Sequence, residues 1–222
     1  MTTQKEPNRC RIVLIAPPDS AADAFERKLA SALSAGDVAS LILPQYGLDE
    51  AAFQAFAERI VPFAQGAGVA AIVGGDSRIA GRVRADGIHV EGGKAELADM
   101  IDRMQDKIMV GAGGAKTRDE ALDLGEERPD YMFFGRFGYD TRPEPHKRNL
   151  TLGRWWAEMI EIPCIVLAGS DLASVEAVAA TGAEFVALSS AVFGENVDAG
   201  AAIARANALL DQHGPRFEAE PR

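Results

Sequence analysis

Two apolar runs near the C-terminal end of the chain, Cys164–Leu167 (CIVL) and Phe185–Leu188 (FVAL), each stop in small polar residues. The first runs into Ala168-Gly169-Ser170 and the second into Ser189-Ser190, with a helical stretch between them. Gly169 lets backbone approach an anion closely, and Ser170, Ser189 and Ser190 offer N–H groups and hydroxyls. The helix N-termini that follow add positive dipole ends, so this seat can take a phosphate without Lys or Arg. Neither residue type stands there. Upstream, residues 136–148 gather Arg136, Thr141, Arg142, His146, Lys147 and Arg148 in an otherwise acidic chain. That segment reads either as a solvated basic loop or as a mobile lid over a polyanionic ligand. His89 lies at the end of another apolar run, where an inward imidazole is an acid–base candidate and a hydrogen-bonded structural histidine is the alternative.

Strand ends need strands, and the periodicity supplies them. Short apolar runs at 11–16, 39–43, 69–73, 87–90, 107–110, 131–134, 164–167 and 185–188 read as buried parallel strands, the first of them β-branched and continuous. Amphipathic stretches alternate with them at 21–35, 49–63, 78–84, 94–104, 117–125, 152–159, between the last two strands, and at 198–211. Thr117 with Glu120 three residues on is a capping-box signature. Eight strands in strict alternation with eight helical segments mean parallel pairing through right-handed crossovers. The expected fold class is α/β, a single (β/α)8 TIM barrel over residues 1–222, with 1–9 and 213–222 as flexible tails. A doubly wound open sheet is the alternative, but no GxGxxG follows the first strand. In a barrel the ligand sits at the C-terminal strand ends, and a phosphate site is often built after strands seven and eight, the two ends described above.

The whole-chain balance narrows the partners. A net charge of −10 argues against nucleic acid or an anionic membrane, and leaves room for a local phosphorylated small-molecule ligand. No stretch has the length and apolarity of a membrane span, and the first residues lack an apolar signal core, so a cytoplasmic protein is expected. Cys10 and Cys164 lie inside strand-like runs and read as reduced core thiols. Trp155 and Trp156 cannot both face the core, which leaves one for the ligand mouth or the interface of a homo-oligomer.

Three segments, RADGIHV, KTRDEALDLGEERPDYMFFGRF and PCIVLAGSD with TGAEFVALSSAVF, resemble the thiamine phosphate synthase family, which also contains the thiazole tautomerase TenI. The resemblance implies a (β/α)8 barrel enzyme that joins an aminopyrimidine diphosphate to a thiazole phosphate, losing pyrophosphate with Mg²⁺ assistance. It places the thiazole phosphate on Ala168, Gly169, Ser189 and Ser190, and a Mg²⁺ ligand on Asp76. The chain departs from the family in several places. The second strand lacks the family's Gln-Leu-Arg-Glu-Lys run and reads ASLILPQYG. Lys94 stands near the second metal aspartate, leaving Glu91 or Glu96 as substitutes, and the Thr-x-Thr-Lys loop is replaced by GRFGYDTRPEPHKRN. In a synthase reading, Arg136, Arg142, Lys147 and Arg148 hold the diphosphate. Lys116 matches the position of the tautomerase's catalytic histidine. The alternative is a non-synthase paralogue that acts on another phosphorylated small molecule, with Lys116, His89 or His146 as acid–base groups, or that merely binds one as a sensor.

Overall fold

A computed structural model of the chain describes residues 7–18 and 22–217. Eight parallel strands close into a barrel in sequence order: β1 Arg11–Ile15, β2 Ser40–Pro44, β3 Ala70–Gly74, β4 Gly87–Val90, β5 Met109–Ala112, β6 Tyr131–Phe134, β7 Cys164–Leu167 and β8 Phe185–Leu188. Closure comes from β1 pairing with β8, Arg11 opposite Phe185 and Leu14 opposite Leu188. Crossover helices α1 Ala22–Leu33, α2 Glu50–Gly66, α3 Ser77–Val83, α4 Lys94–Met104, α5 Arg118–Gly125, α6 Lys147–Met159 and α7 Ser174–Ala179 connect successive strands. After β8 come a single turn, α8 Ser190–Phe193, and the closing helix α9 Ala199–His213. The expected (β/α)8 architecture is the observed one.

Strand alternation divides the core into two layers. Val13, Ile15, Ile42, Ile72, Tyr131, Phe133, Ile165, Leu167 and Ala187 fill the barrel interior, and their neighbours in sequence pack outward against the helices. Both cysteines are free and buried in the outer layer, where loss of solvent pushes the Cys10 thiol up to about 12 and the Cys164 thiol also upward.

Many element ends shift by a few residues from the sequence reading, and three departures have a visible cause or consequence. The fifth strand begins at Met109, because the N–H groups of Lys107 and Ile108 donate to the Met104 carbonyl and close α4. Helix α6 begins at Lys147, five residues before the expected start at 152, because the His146 side chain accepts the Arg148 N–H and caps it. Nine helices stand among the described residues rather than eight, α8 being the addition. At α5, Thr117 Oγ1 accepts the Glu120 N–H as the motif requires, but the Glu120 carboxylate reaches back to the Lys116 N–H instead of closing a reciprocal box.

Of the two tails, residues 1–6 and 218–222 lie outside the described residues. Within the rest, buried Arg9 donates to Cys10 O, Asn207 and Asp211, and Cys10 N–H donates to Pro215 O. Trp156 is fully buried, while Trp155 lies partly exposed under the Arg118 guanidinium. Among the described residues no helix is long and apolar enough to cross a membrane.

Candidate functional site

The C-terminal strand ends open into a cavity of about 850 Å³ bounded by the residues after β2, β3, β4 and β6. Gln45 and Tyr46 follow β2, Gly75 and Asp76 follow β3, Glu91 and Gly92 follow β4, and Arg136, Phe137 and Tyr139 follow β6. His89 lies at its base. Its Nδ1 is 2.9 Å from the Tyr131 hydroxyl, and the ring stacks near Tyr131 and meets Phe133 and Phe137 edge-on. This apolar jacket removes solvent and drives the imidazole down to about 3, so it is neutral near pH 7. Its Nε2 is buried and has no hydrogen-bond partner among the described residues. A buried polar atom left in this state is poised for a ligand group.

The charges around the mouth are mostly negative. Asp76, Glu91 and Glu96 line it, and Arg136, stacked 3.8 Å over the Tyr139 ring, is the cation lining the same cavity. Asp76 caps α3 through the Arg78 N–H at 2.8 Å, and both carboxylate oxygens accept from the Arg78 guanidinium at 2.5–3.1 Å. These bonds hold its carboxyl down to about 2. The walls of the mouth desolvate Glu91 and push its carboxyl up, with Arg136 opposing. Gly75 has φ +144°, and a Cβ there would come 2.8 Å from Gln45 Oε1, so a larger residue does not fit this backbone without strain.

The remaining candidates fall in three places. Lys116 lies exposed in an adjoining depression of about 360 Å³ that shares Glu91 and Gly92 with the mouth. Lys94 turns away from the mouth to Glu126 and, at 3.6 Å, Glu127. His146 is an exposed helix cap, and Arg142, Lys147 and Arg148 point to solvent outside the cavity lining. Ala168, Gly169, Ser170, Ser189 and Ser190 do come together where β7 and β8 end, beside the mouth. The sequence reading missed Gln45, Tyr46, Phe137, Tyr139 and Tyr131. The first four stand just past strand ends, a position that signals ligand contact once the barrel is assumed.

Residues 12–192 match the family described as thiamine monophosphate synthase. The chain belongs to this family. It is 31% identical over 216 residues to the thiamine-phosphate synthase of Hyphomonas neptunium, a match covering 95% of this chain and 97% of that protein. The corresponding protein of Rhodospirillum centenum is 31% identical over 202 residues, covering 90% and 98%. In fold the chain is similar to the thiamine phosphate pyrophosphorylase of Pyrococcus furiosus, with a TM-score of 0.74, 18% identity, and coverage of 92% and 97%. Membership makes the chain an enzyme of transferase type, and the barrel is the fold it shares with the Pyrococcus protein.

Proposed function

We propose that this member of the family joins an aminopyrimidine diphosphate to a thiazole phosphate and releases pyrophosphate. The observation that carries the reading is adjacency: a cavity of about 850 Å³, large enough for a heterocycle, lies beside the paired strand ends that suit a phosphate. In this reading the aminopyrimidine occupies the mouth between His89, Phe137 and Tyr139, and the thiazole phosphate takes the N–H groups after β7 and β8. The bond from the pyrimidine methylene carbon to the diphosphate oxygen breaks, its electron pair leaving with pyrophosphate. A bond from that carbon to the thiazole nitrogen forms. The protein's part is electrostatic and positional. Arg136 meets the leaving group, while neutral His89 orients the ring through Nε2. Arg142 reaches the diphosphate if the loop that carries it folds inward, whereas Lys147 and Arg148 sit on the first turn of α6 and contribute only through the length of their side chains. Mg²⁺ belongs to this reading through Asp76 and would neutralise charge on the leaving pyrophosphate; a metal ligand there has first to be released by Arg78.

A second reading has a specific observation in its favour. The β2 end offers Pro44, Gln45, Tyr46 and Gly47 where the family carries cations, and Asp76, Glu91 and Glu96 repel a bare diphosphate. A paralogue without the diphosphate half-site would act on, or merely hold, another phosphorylated small molecule, with His89, Lys116 or His146 moving any proton.

Calorimetry with thiazole phosphate and with aminopyrimidine diphosphate, each with and without Mg²⁺, followed by product detection, separates the two readings. The synthase reading expects both ligands to bind, the diphosphate only with Mg²⁺, and thiamine phosphate to form. Binding of the monophosphate alone, with no product, sinks it and leaves the second reading.

A further inference from the structure

The seat built by the β7 and β8 ends is filled by the chain itself. After β6 the backbone crosses these ends as a strap, residues 140–143. Asp140 is 4% exposed, and its carboxylate accepts the Ser190 N–H at 2.6 Å. The Arg142 carbonyl accepts the Ser170 N–H at 2.7 Å, and the Pro143 carbonyl accepts the Asp171 N–H at 3.3 Å. Gly169 N–H goes to Ser174 Oγ at 3.1 Å. The strap runs so close that a Cβ on Gly169 would come 2.1 Å from the Pro143 oxygen. Ser189 Oγ, beside this cluster in sequence and buried, has no hydrogen-bond partner among the described residues.

A carboxylate oxygen is the side-chain group most like a phosphate oxygen: anionic, and an acceptor from the same N–H. We propose that Asp140 is a built-in competitor for phosphate, so that the closed strap and a phosphate bound at the β7/β8 ends exclude each other. The exclusion has two causes. One N–H cannot serve two anions at full strength, and two anions in one buried seat repel. The strap is also built to lift. Thr141, Arg142, Pro143 and Glu144 are exposed and belong to no helix or strand, and they lie between Gly138, at φ +75°, and the buried Pro145. Phosphate therefore binds only the lifted state, and its apparent affinity falls by the fraction of molecules in that state. Lifting also frees the backbone that carries Arg142, so loss of the internal anion and release of a cation go together. The inference rests on the reading of the β7/β8 ends as a phosphate seat, and adds what guards it.

The test is a titration of the full chain with inorganic phosphate, by calorimetry and by the amide resonances, for the unmodified protein, Asp140→Ala and Asp140→Asn. Asp140→Ala is expected to bind phosphate at least tenfold more tightly than the unmodified protein. Asp140→Asn, which keeps an acceptor oxygen but no charge, is expected to fall between them, and the Ser190 amide should move as phosphate enters. Equal affinity in all three proteins overturns the proposal, as does the absence of binding in all three, or binding to the unmodified protein that leaves the Ser190 amide where it was. If Asp140→Ala does not fold, Asp140→Asn against the unmodified protein decides. Inorganic phosphate needs no turnover, so the fate of the synthase reading is separate. A chain without synthase product whose Asp140→Ala form gains phosphate loses that reading and keeps the strap.

Discussion

His89 shows how far a single side chain is governed by its surroundings. Its type and place at a strand end were legible; its charge state was not, because that depends on Tyr131, Phe133 and Phe137 arriving from the β6 side of the barrel. Burial lowers the imidazole from 6.5 to about 3. Below pH 6.5 the unfolded chain takes up a proton at this position while the folded chain does not. The unfolded state therefore binds more protons, and stability rises with pH across that window. On acidification from pH 6.5 to 5 the loss should approach about 1.4 kcal/mol per pH unit, and His89→Gln should flatten the slope. Urea denaturation at several pH values measures both; an identical slope in the variant would assign the titration elsewhere. Lys94 and Asp76 make the same point about partners. Both sit at plausible ligand positions, yet one is held by Glu126 and Glu127 and the other by Arg78.

Among the elements, most strands and helix starts were legible within a residue, and the start of α6 was not. Strands β4, β6, β7 and β8 fall where their apolar runs do, since a strand buried on both faces needs an uninterrupted run. Helix α6 starts in a polar, cationic segment, and only the His146 cap and burial of Asn149 reveal its first turn. The pairing of β5 with β6 carries a constraint that periodicity does not show. Gly111 lies opposite Tyr131, and a Cβ there would come within 1.9 Å of the phenol ring. Tyr131 is the hydrogen-bond partner of His89, so Gly111→Ala must displace the support of the mouth. A loss of about 1–3 kcal/mol is expected from overpacking, measured by denaturant midpoint, together with weaker ligand binding. An unchanged midpoint would mean that Tyr131 has room to move.

For the molecule as a whole, the barrel separates stability from chemistry: the mouth lies at the C-terminal strand ends, and the segments at either end of the described residues meet at the opposite end. Arg9, just before β1, donates to Asn207 and Asp211 on α9 at 2.8 and 2.6 Å. This clasp joins the two ends of the described chain, and the guanidinium is only 3% exposed. Arg9→Ala leaves Asn207 without its donor, and about 1–3 kcal/mol of stability should go with it. Affinity for phosphate or heterocycle should stay within twofold, because no mouth residue touches the clasp. A large change in affinity with stability intact would show that the two ends of the barrel are coupled.

The alternation of apolar runs with amphipathic stretches determined the barrel, because parallel strands buried on both faces have few other ways to be satisfied. The same order of elements placed the candidate phosphate seat, since ligand sites in this architecture follow strand ends. Folding in three dimensions decided which charges cancel, which polar atoms are left without partners, and what lies over the seat. Asp140 stands fifty residues from Ser190 in sequence, and their 2.6 Å contact depends on the path of an irregular loop across the barrel mouth. No local pattern encodes such a path, because a loop's course is set by the partners its backbone groups find.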